Sequence, residues 1–119
     1  MSYVDGFVIT LPKRNIGAYK KMALFGAKVW KKYGAKEYFE CIGDDLWPKG
    51  MGMPFLKLTK AKNDETVIFA FIVFKSKAHR DMVNKRVMKE MEKMPMTEKD
   101  MPFNPKKMVY GGFKVLVEK

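Results

Sequence analysis

A chain of 119 residues with 47% hydrophobic and 13% aromatic residues has the size and composition of one folded domain, not of a disordered protein. Its single cysteine, Cys41, excludes an internal disulfide and a cysteine-based zinc site, and it suits a reducing compartment. The net charge of +11 would attract polyanions, but only three of the 24 basic residues are arginines, the residue type suited to reading phosphate and guanine.

No segment predicts secretion or membrane insertion. The N-terminus lacks the basic and apolar regions of a signal peptide, and the longest apolar run, Val67 to Phe74, is too short to span a bilayer. We therefore expect a cytoplasmic protein that does not bind membranes.

The first predicted strand covers Tyr3 to Leu11, and Pro12 ends it because proline cannot donate to a sheet ladder. Asn15 is a predicted N-cap for a helix over Ile16 to Tyr33, in which apolar residues recur at steps of three and four. Gly34 is expected to close that helix as a C-terminal glycine.

The opposite side of this helix is basic and contains no acid, and we call it the basic face. Its lysines are Lys20, Lys21, Lys28, Lys31 and Lys32. They could contact a polyanion such as nucleic acid without sequence specificity. They could equally be a solvated surface, since lysines in the last turn also favour the helix dipole.

The middle of the chain predicts two strands around a loop. Lys36 to Gly43 alternates in part and is predicted to be a strand, whereas Asp44 to Pro54 is a loop rich in glycine and proline. Phe55 to Lys60 is predicted to be a short strand. A polar turn at Asn63 to Glu65 would pair it with the next strand as a hairpin.

The strand over Thr66 to Phe74 is apolar on both faces. One face carries Val67, Phe69, Phe71 and Val73, and the other carries Ile68, Ala70, Ile72 and Phe74. Something must therefore cover both sides of the sheet at this strand.

The last third of the chain predicts a helix and a strand. Ser76 is the predicted N-cap of a helix over Lys77 to Lys93, which Pro95 ends. Met108 to Glu118 is the predicted last strand. Gly111-Gly112 inside it indicates a bulge or a close backbone approach.

This order of elements predicts an α+β fold, a ferredoxin-like antiparallel sheet with two helices on one face. The uncovered face would lose about 1.5–3 kcal/mol for each large apolar side chain left in water. We therefore predict a homodimer packed sheet to sheet, with Val67, Phe69, Phe71 and Val73 at the dimer interface, although the opposite set of side chains is also possible.

No catalytic residue, metal ligand set or cofactor motif is identified. Phosphate-binding loops, dinucleotide motifs and the ribonucleoprotein motif are absent, so nucleic acid is not the expected partner. The polar residues that could contact a ligand are Asp44, Asp45, Trp47, His79 and Arg80. Structural roles are the competing interpretation, since aspartates favour turns and Arg80 could pair with Asp81.

Four blocks of sequence resemble a known family. They are Y-V-D-G-F-V, then E-C-I-G-D-D, then K-A-K-N-D-E-T-V-I-F-A-F followed by S-K-A-H-R-D, and finally M-P-F-N-P-K-K-M-V-Y-G-G-F. Together they resemble the YbaA-like family of small bacterial proteins of unknown function. The resemblance implies the dimeric α/β-barrel superfamily, in which two ferredoxin-like sheets close a shared barrel.

The resemblance implies no established reaction, because members of that superfamily differ widely in function. The first functional hypothesis is the binding of a small apolar or aromatic molecule in a cleft between sheet and helices. The alternatives are a cofactor-free oxidative enzyme on the same scaffold and weak polyanion binding by the basic face. Catalytic activity and the identity of the ligand stay open.

Overall fold

A computed structural model describes residues 1–47, 49–94 and 96–119. Its main elements are β1 (Tyr3–Pro12), α1 (Ile16–Lys32), β2 (Glu37–Ile42), α2 (Phe55–Thr59), β3 (Glu65–Phe74), α3 (Lys77–Met91) and β4 (Val109–Lys114). The strands form one antiparallel sheet in the order β2-β3-β1-β4. The predicted α+β class, with an antiparallel sheet and two long helices, is confirmed. None of the helices described is long and apolar enough to cross a membrane.

The central strand β3 separates the two sides of the sheet. Its residues Ile68, Ala70, Ile72 and Phe74 are all buried, and α1 and α3 lie over them. We call this side the helix face. The other side, which we call the open face, carries Phe69, Phe71 and Val73, of which Phe69 is 45% exposed. The alternation of side chains along a strand produces this division.

The core under the helices has two parts. The first lies beneath the N-terminal half of α1 and consists of Ile9, Leu11, Tyr19, Ala23, Ile68, Ala70 and Phe103. The second lies between α1 and α3 and consists of Val29, Ala35, Ile72, Phe74, Val83 and Val87. The predicted apolar stripe of α1 therefore spans both parts of the core.

The segment predicted to be a short strand, Phe55 to Lys60, is the helix α2 instead. Lys57 and Leu58 donate backbone hydrogen bonds of 3.1 and 3.2 Å to the carbonyl of Pro54, and Lys60 ends the helix in a left-handed conformation. A run of five residues is too short for its spacing to distinguish a strand from one helical turn, which explains the error. The predicted hairpin with β3 is also wrong.

The short helix affects the predicted dimer interface. Val67 shares the side of β3 that carries Phe69, but it is only 2% exposed. The segment around Leu46 and Phe55 lies against it, with the Phe55 ring 6.2 Å from that of Phe69. Val67 is therefore buried within its own chain and does not belong to the exposed part of the open face.

Of the four predicted helix ends, three lie within the described residues, and two of these have the expected geometry. Gly34 follows α1 with a φ of 110°, and Ser76 Oγ accepts a hydrogen bond of 3.1 Å from the His79 backbone N–H at the start of α3. Asn15 makes no capping hydrogen bond. It instead donates from Nδ2 to the carbonyl of Pro102 at 2.7 Å, tying the start of α1 to the C-terminal connection. Pro95, predicted to end α3, lies outside the described residues.

The paired glycines in β4 do not form a bulge. Gly111 pairs with Gly6 and Gly112 with Asp5 in an unbroken register. A side chain at Gly112 would overlap the Tyr3 hydroxyl, so the alternative interpretation, a close approach, fits the structure. The strand ends at Lys114, short of the predicted end at Glu118.

Arg80 joins α3 to the sheet through a nearly buried ion pair. Its Nη1 lies 2.8 Å from Asp5 Oδ1 in β1, where the aspartate side chain is 8% exposed. Asn84 donates to the other Asp5 oxygen at 3.0 Å, and Trp30 of α1 donates to Asn84 at 3.0 Å. The network therefore fixes β1, α1 and α3 relative to one another.

Replacing Arg80 with alanine is expected to destabilise the fold by about 3 kcal/mol, because it leaves the buried Asp5 carboxylate without a cation. The value lies at the low end for broken buried pairs, since Asn84 still donates to Asp5. Urea unfolding would measure it. The matched control, Arg86→Ala at an exposed position of the same helix, should change the free energy of unfolding by less than about 0.5 kcal/mol. Equal effects would contradict the role of the ion pair.

Candidate functional site

The residues predicted to contact a ligand do not come together. Asp44, Asp45 and Trp47 follow β2, which ends where Ile42 pairs with Ile68 near the start of β3. His79 and Arg80 lie in α3, which begins after the opposite end of β3 at Phe74. Six residues of extended chain separate those two points by roughly 20 Å. Asp44, Asp45 and Trp47 are all exposed.

His79 and Arg80 have structural partners. The His79 ring accepts a hydrogen bond at Nδ1 from the Lys75 backbone N–H at 3.0 Å and packs edge-on against Phe74. Arg80 contacts Asp81 at 2.9 Å in addition to Asp5, and its guanidinium lies 4.8 Å from the centre of the Tyr3 ring. These contacts favour the structural interpretation of both residues.

The lysines of the basic face are all exposed, but two of them have partners in the same chain. Lys31 Nζ donates to the carbonyl of Lys36 at 2.7 Å, and Lys32 Nζ lies 2.8 Å from Glu90. Hydrogen bonds from Lys32 and Tyr33 lower the pKa of the half-buried Glu90 carboxyl. Part of the basic face therefore ties the end of α1 to α3.

A cleft of about 450 Å³ opens between α1 and the edge of the sheet formed by β2. Its walls are mostly apolar, from Leu11, Ile16, Ala23, Leu24, Ala27, Ile42 and Ile68. Lys20 lies on its exposed rim. Volume and composition are those of sites that bind small organic molecules.

One carboxylate lies in this cleft, held by two phenols. Tyr19 of α1 donates to Glu40 Oε1 at 2.6 Å, and Tyr38 of β2 donates to Glu40 Oε2 at 2.7 Å. Glu40 is half-buried and Tyr19 is 5% exposed. Within the part of the chain that the structure describes, Glu40 forms no salt bridge.

The strand geometry places these groups together. Tyr38, Glu40 and Ile42 alternate along β2 and pair with Ile72, Ala70 and Ile68, so all three lie on the helix face. Tyr19 belongs to the apolar stripe of α1 that covers that face. The sequence signal for this site was a glutamate that alternates along the strand with residues on the helix face. Glu40 was not among the residues predicted from sequence to contact a ligand.

Burial is the main cause that raises the pKa of both phenols, Tyr19 and Tyr38, well above their usual value near 10. The hydrogen bond to Glu40 and the repulsion of its negative charge act in the same direction. Both tyrosines therefore stay protonated, and remain hydrogen-bond donors to the carboxylate, throughout the physiological pH range.

Among the described residues no group of three or more His, Cys, Asp or Glu side chains is arranged to hold a metal ion. Cys41 is exposed on the open face, between Phe39 and the end of β2. The chemical groups of the cleft are therefore its apolar walls, one carboxylate, two phenols and, at the rim, the Lys20 ammonium.

Residues 2–105 match the family described as a protein of unknown function, DUF1428. The chain belongs to the DUF1428 family. It is 37% identical over 118 residues to the uncharacterized protein YbaA of Escherichia coli strain K12, covering 99% of both chains. The YbaA protein of Shigella flexneri has the same identity and coverage. The resemblance to YbaA-like proteins in the sequence is confirmed.

A solved structure supports the fold of this DUF1428 protein. A dimeric ferredoxin-like protein from an uncultured marine organism superposes with a TM-score of 0.63, covering 100% of both chains at 12% sequence identity. The likeness establishes a ferredoxin-like fold, as the order of elements predicted.

The raised pKa values predict an alkaline loss of stability. Below pH 10 the phenols are protonated in both the folded and the unfolded protein, so the hydrogen bonds from Tyr19 and Tyr38 contribute fully to the free energy of unfolding. As the pH rises above 10 toward the raised pKa values of the folded protein, this contribution is lost. Tyr38→Phe should cost about 1.5 kcal/mol at pH 7, since one hydrogen bond to a charged group is lost.

Urea unfolding at pH 7 and at pH 11 measures both effects. The decrease in the free energy of unfolding that Tyr38→Phe causes relative to wild type should be smaller at pH 11 than at pH 7. Tyr110→Phe, at an exposed tyrosine, is the control and should leave the stability at pH 7 within about 0.5 kcal/mol. A loss of stability by Tyr38→Phe that is the same at both pH values would contradict the prediction.

Proposed function

We propose that this DUF1428 protein is a homodimer in which each subunit binds a small, largely apolar or aromatic molecule in the cleft between α1 and β2. The observation that carries the ligand part is the cleft itself, about 450 Å³ with predominantly apolar walls and a single carboxylate. Sites for small molecules commonly have volumes of about 300–1,000 Å³ and few, well-placed polar groups.

The cleft is a better candidate than the polar residues predicted from sequence. Asp44, Asp45 and Trp47 are separated from His79 and Arg80 by most of the length of β3. Glu40 has two protein donors and still faces the cleft. A ligand there would contact both the helix and the sheet, which gives it apolar surface on two sides.

The open face supports the proposed homodimer. Phe39 and Phe71 stack with ring centres 5.0 Å apart, and Phe69 and Phe113 are 45% and 61% exposed. Monomeric proteins seldom expose a contiguous aromatic surface of this kind. Covering it would gain about 1.5–3 kcal/mol for each large side chain that becomes fully buried.

A second copy of the chain is the partner that fits this face. Two copies of a protein with a net charge of +11 repel each other, and the repulsion is weakest where the contact surface lacks basic residues. By alternation, Glu37 and Glu65 are the only charged residues that the strands of the described ranges place on the open face, and they lie near its opposite ends. The marine ferredoxin-like protein with the similar fold is described as dimeric, which agrees with this partner.

The neutral indole alcohol tryptophol tests the proposed binding site. In an NMR titration of ¹⁵N-labelled protein, the shifts should concentrate at the amides of α1 and β2. Ala27→Phe should abolish measurable binding, because the added ring occupies the cleft. Ala18→Phe, at an exposed position of α1 outside the cleft, should bind as wild type does. Shifts confined to the open face, or unchanged binding by Ala27→Phe, would contradict the proposal.

Light scattering coupled to size exclusion tests the dimer. The wild-type protein should have twice the mass of the 13.8 kDa chain at micromolar concentration. Phe69→Lys with Phe113→Lys should produce a folded monomer, because four lysines would meet at the two-fold contact. The control Phe25→Lys, at an exposed phenylalanine of α1, should stay dimeric. A wild-type monomer would rule out the dimer.

A further inference from the structure

We infer that the cleft selects an apolar or aromatic molecule that carries a protonated amine, and that Glu40 is the group that binds the amine. This inference rests on the proposed function, since it specifies the ligand of the same cleft. Tyr19 and Tyr38 already use some of the hydrogen-bonding positions of Glu40, and the positions that remain decide which ligand can bind.

Apart from Lys20 at the rim, the polar side chains of the cleft can accept hydrogen bonds but have no proton left to donate. A phenol has one proton, and those of Tyr19 and Tyr38 are both used in hydrogen bonds to Glu40. A carboxylate has about four acceptor positions, so Glu40 keeps about two after receiving both phenols. A ligand that binds there must supply the donors, and an ammonium supplies three.

The charge of the site favours a cationic donor over a neutral one. Glu40 makes no salt bridge with any basic residue in the described part of the chain, and its neighbours in the cleft are mostly apolar. An ammonium adds Coulomb attraction to its hydrogen bond with the carboxylate, which a neutral hydroxyl does not, and this attraction is stronger beside apolar groups than in water. A ligand carboxylate would face Glu40 as a like charge with no donor between them.

The basic residues do not reverse this selection. Lys20 lies at the exposed rim of the cleft, and it makes no salt bridge with Glu40. The other lysines of the basic face are exposed to solvent and do not line the cleft. Exposed charges farther away than about 8–10 Å are largely screened at physiological ionic strength. The net charge of +11 therefore slows the approach of a cationic ligand more than it alters the preference of Glu40 for an ammonium over a carboxylate.

The same cluster fixes where the amine would lie. Glu40 points from β2 toward α1, and Tyr19 and Tyr38 hold one oxygen each. The ammonium would occupy the remaining side of the carboxylate, and the apolar part of the molecule would lie along Leu24 and Ile42 toward the opening.

Three indole compounds with the same ring and linker test the inference: tryptamine, tryptophol and indole-3-propionate, which end in an ammonium, a hydroxyl and a carboxylate. Dissociation constants at pH 7 would come from NMR titrations that follow the amides of α1 and β2. Tryptamine should bind at least about tenfold more tightly than tryptophol, because its ammonium is attracted to the Glu40 charge whereas the hydroxyl of tryptophol can only donate a hydrogen bond to it. Indole-3-propionate should bind most weakly.

Glu40→Gln keeps the side-chain shape and removes the charge. It should weaken tryptamine about tenfold, to the level of tryptophol, and change the affinity for tryptophol by less than about threefold. Glu37→Gln is the matched control, because Glu37 is an exposed glutamate of the same strand on the other face of the sheet. It should leave both affinities unchanged.

The outcomes separate this inference from the proposed function. Binding of tryptophol in the cleft with no preference for tryptamine would overturn the inference and leave the cleft as a ligand site. Binding of none of the three compounds would overturn both. The ranking of the three compounds on the wild-type protein is decisive even if Glu40→Gln fails to fold.

Discussion

Strand β3 has apolar side chains on both faces, and most of the structure follows from covering them. Ile68, Ala70, Ile72 and Phe74 are buried under α1 and α3, which sets the position of both helices. On the other side Phe69 and Phe71 form an aromatic surface together with Phe39. In the proposed homodimer a second open face covers it, so each face of the strand has its own partner.

Two carboxylates on the helix face have contrasting environments. Asp5 contacts the Arg80 guanidinium and the Asn84 amide, which satisfy its charge and both its oxygens. Glu40 receives only two phenol protons, which hold its oxygens in place without neutralising them. The first arrangement stabilises the fold. The second leaves a negative charge at an apolar cleft, which is why Glu40, and not the Asp5 network, is the proposed ligand contact.

The parts of the fold that could be predicted from sequence are those with long, regular patterns. Ile16 to Lys32 repeats its apolar residues over more than four turns, and Thr66 to Phe74 consists of strongly β-forming residues. Phe55 to Thr59 was misassigned because five residues carry too little periodicity. The capping role predicted for Asn15 failed because a distant partner, Pro102, takes its side chain.

The candidate site was less predictable because it is assembled across the sequence. Tyr19 and Glu40 are 21 residues apart and meet only when α1 packs on β2. Asp44, Asp45, His79 and Arg80 attracted attention as polar clusters along the chain, yet a cluster in sequence need not form one site. The sequence signal for the site was that Glu40 alternates with Tyr38 and Ile42 and so shares a face of β2 with them. Which face of the sheet that is depended on the side that the helices cover.

The most direct test of the two-sided role of β3 is an isotope-filtered NOE experiment on an equal mixture of labelled and unlabelled protein. Packing of one open face on another predicts cross-peaks between subunits among the ring protons of Phe69, Phe71 and Phe113. Cross-peaks between subunits that involve only residues of α1 or α3, or none at a concentration where the protein is folded, would contradict the account.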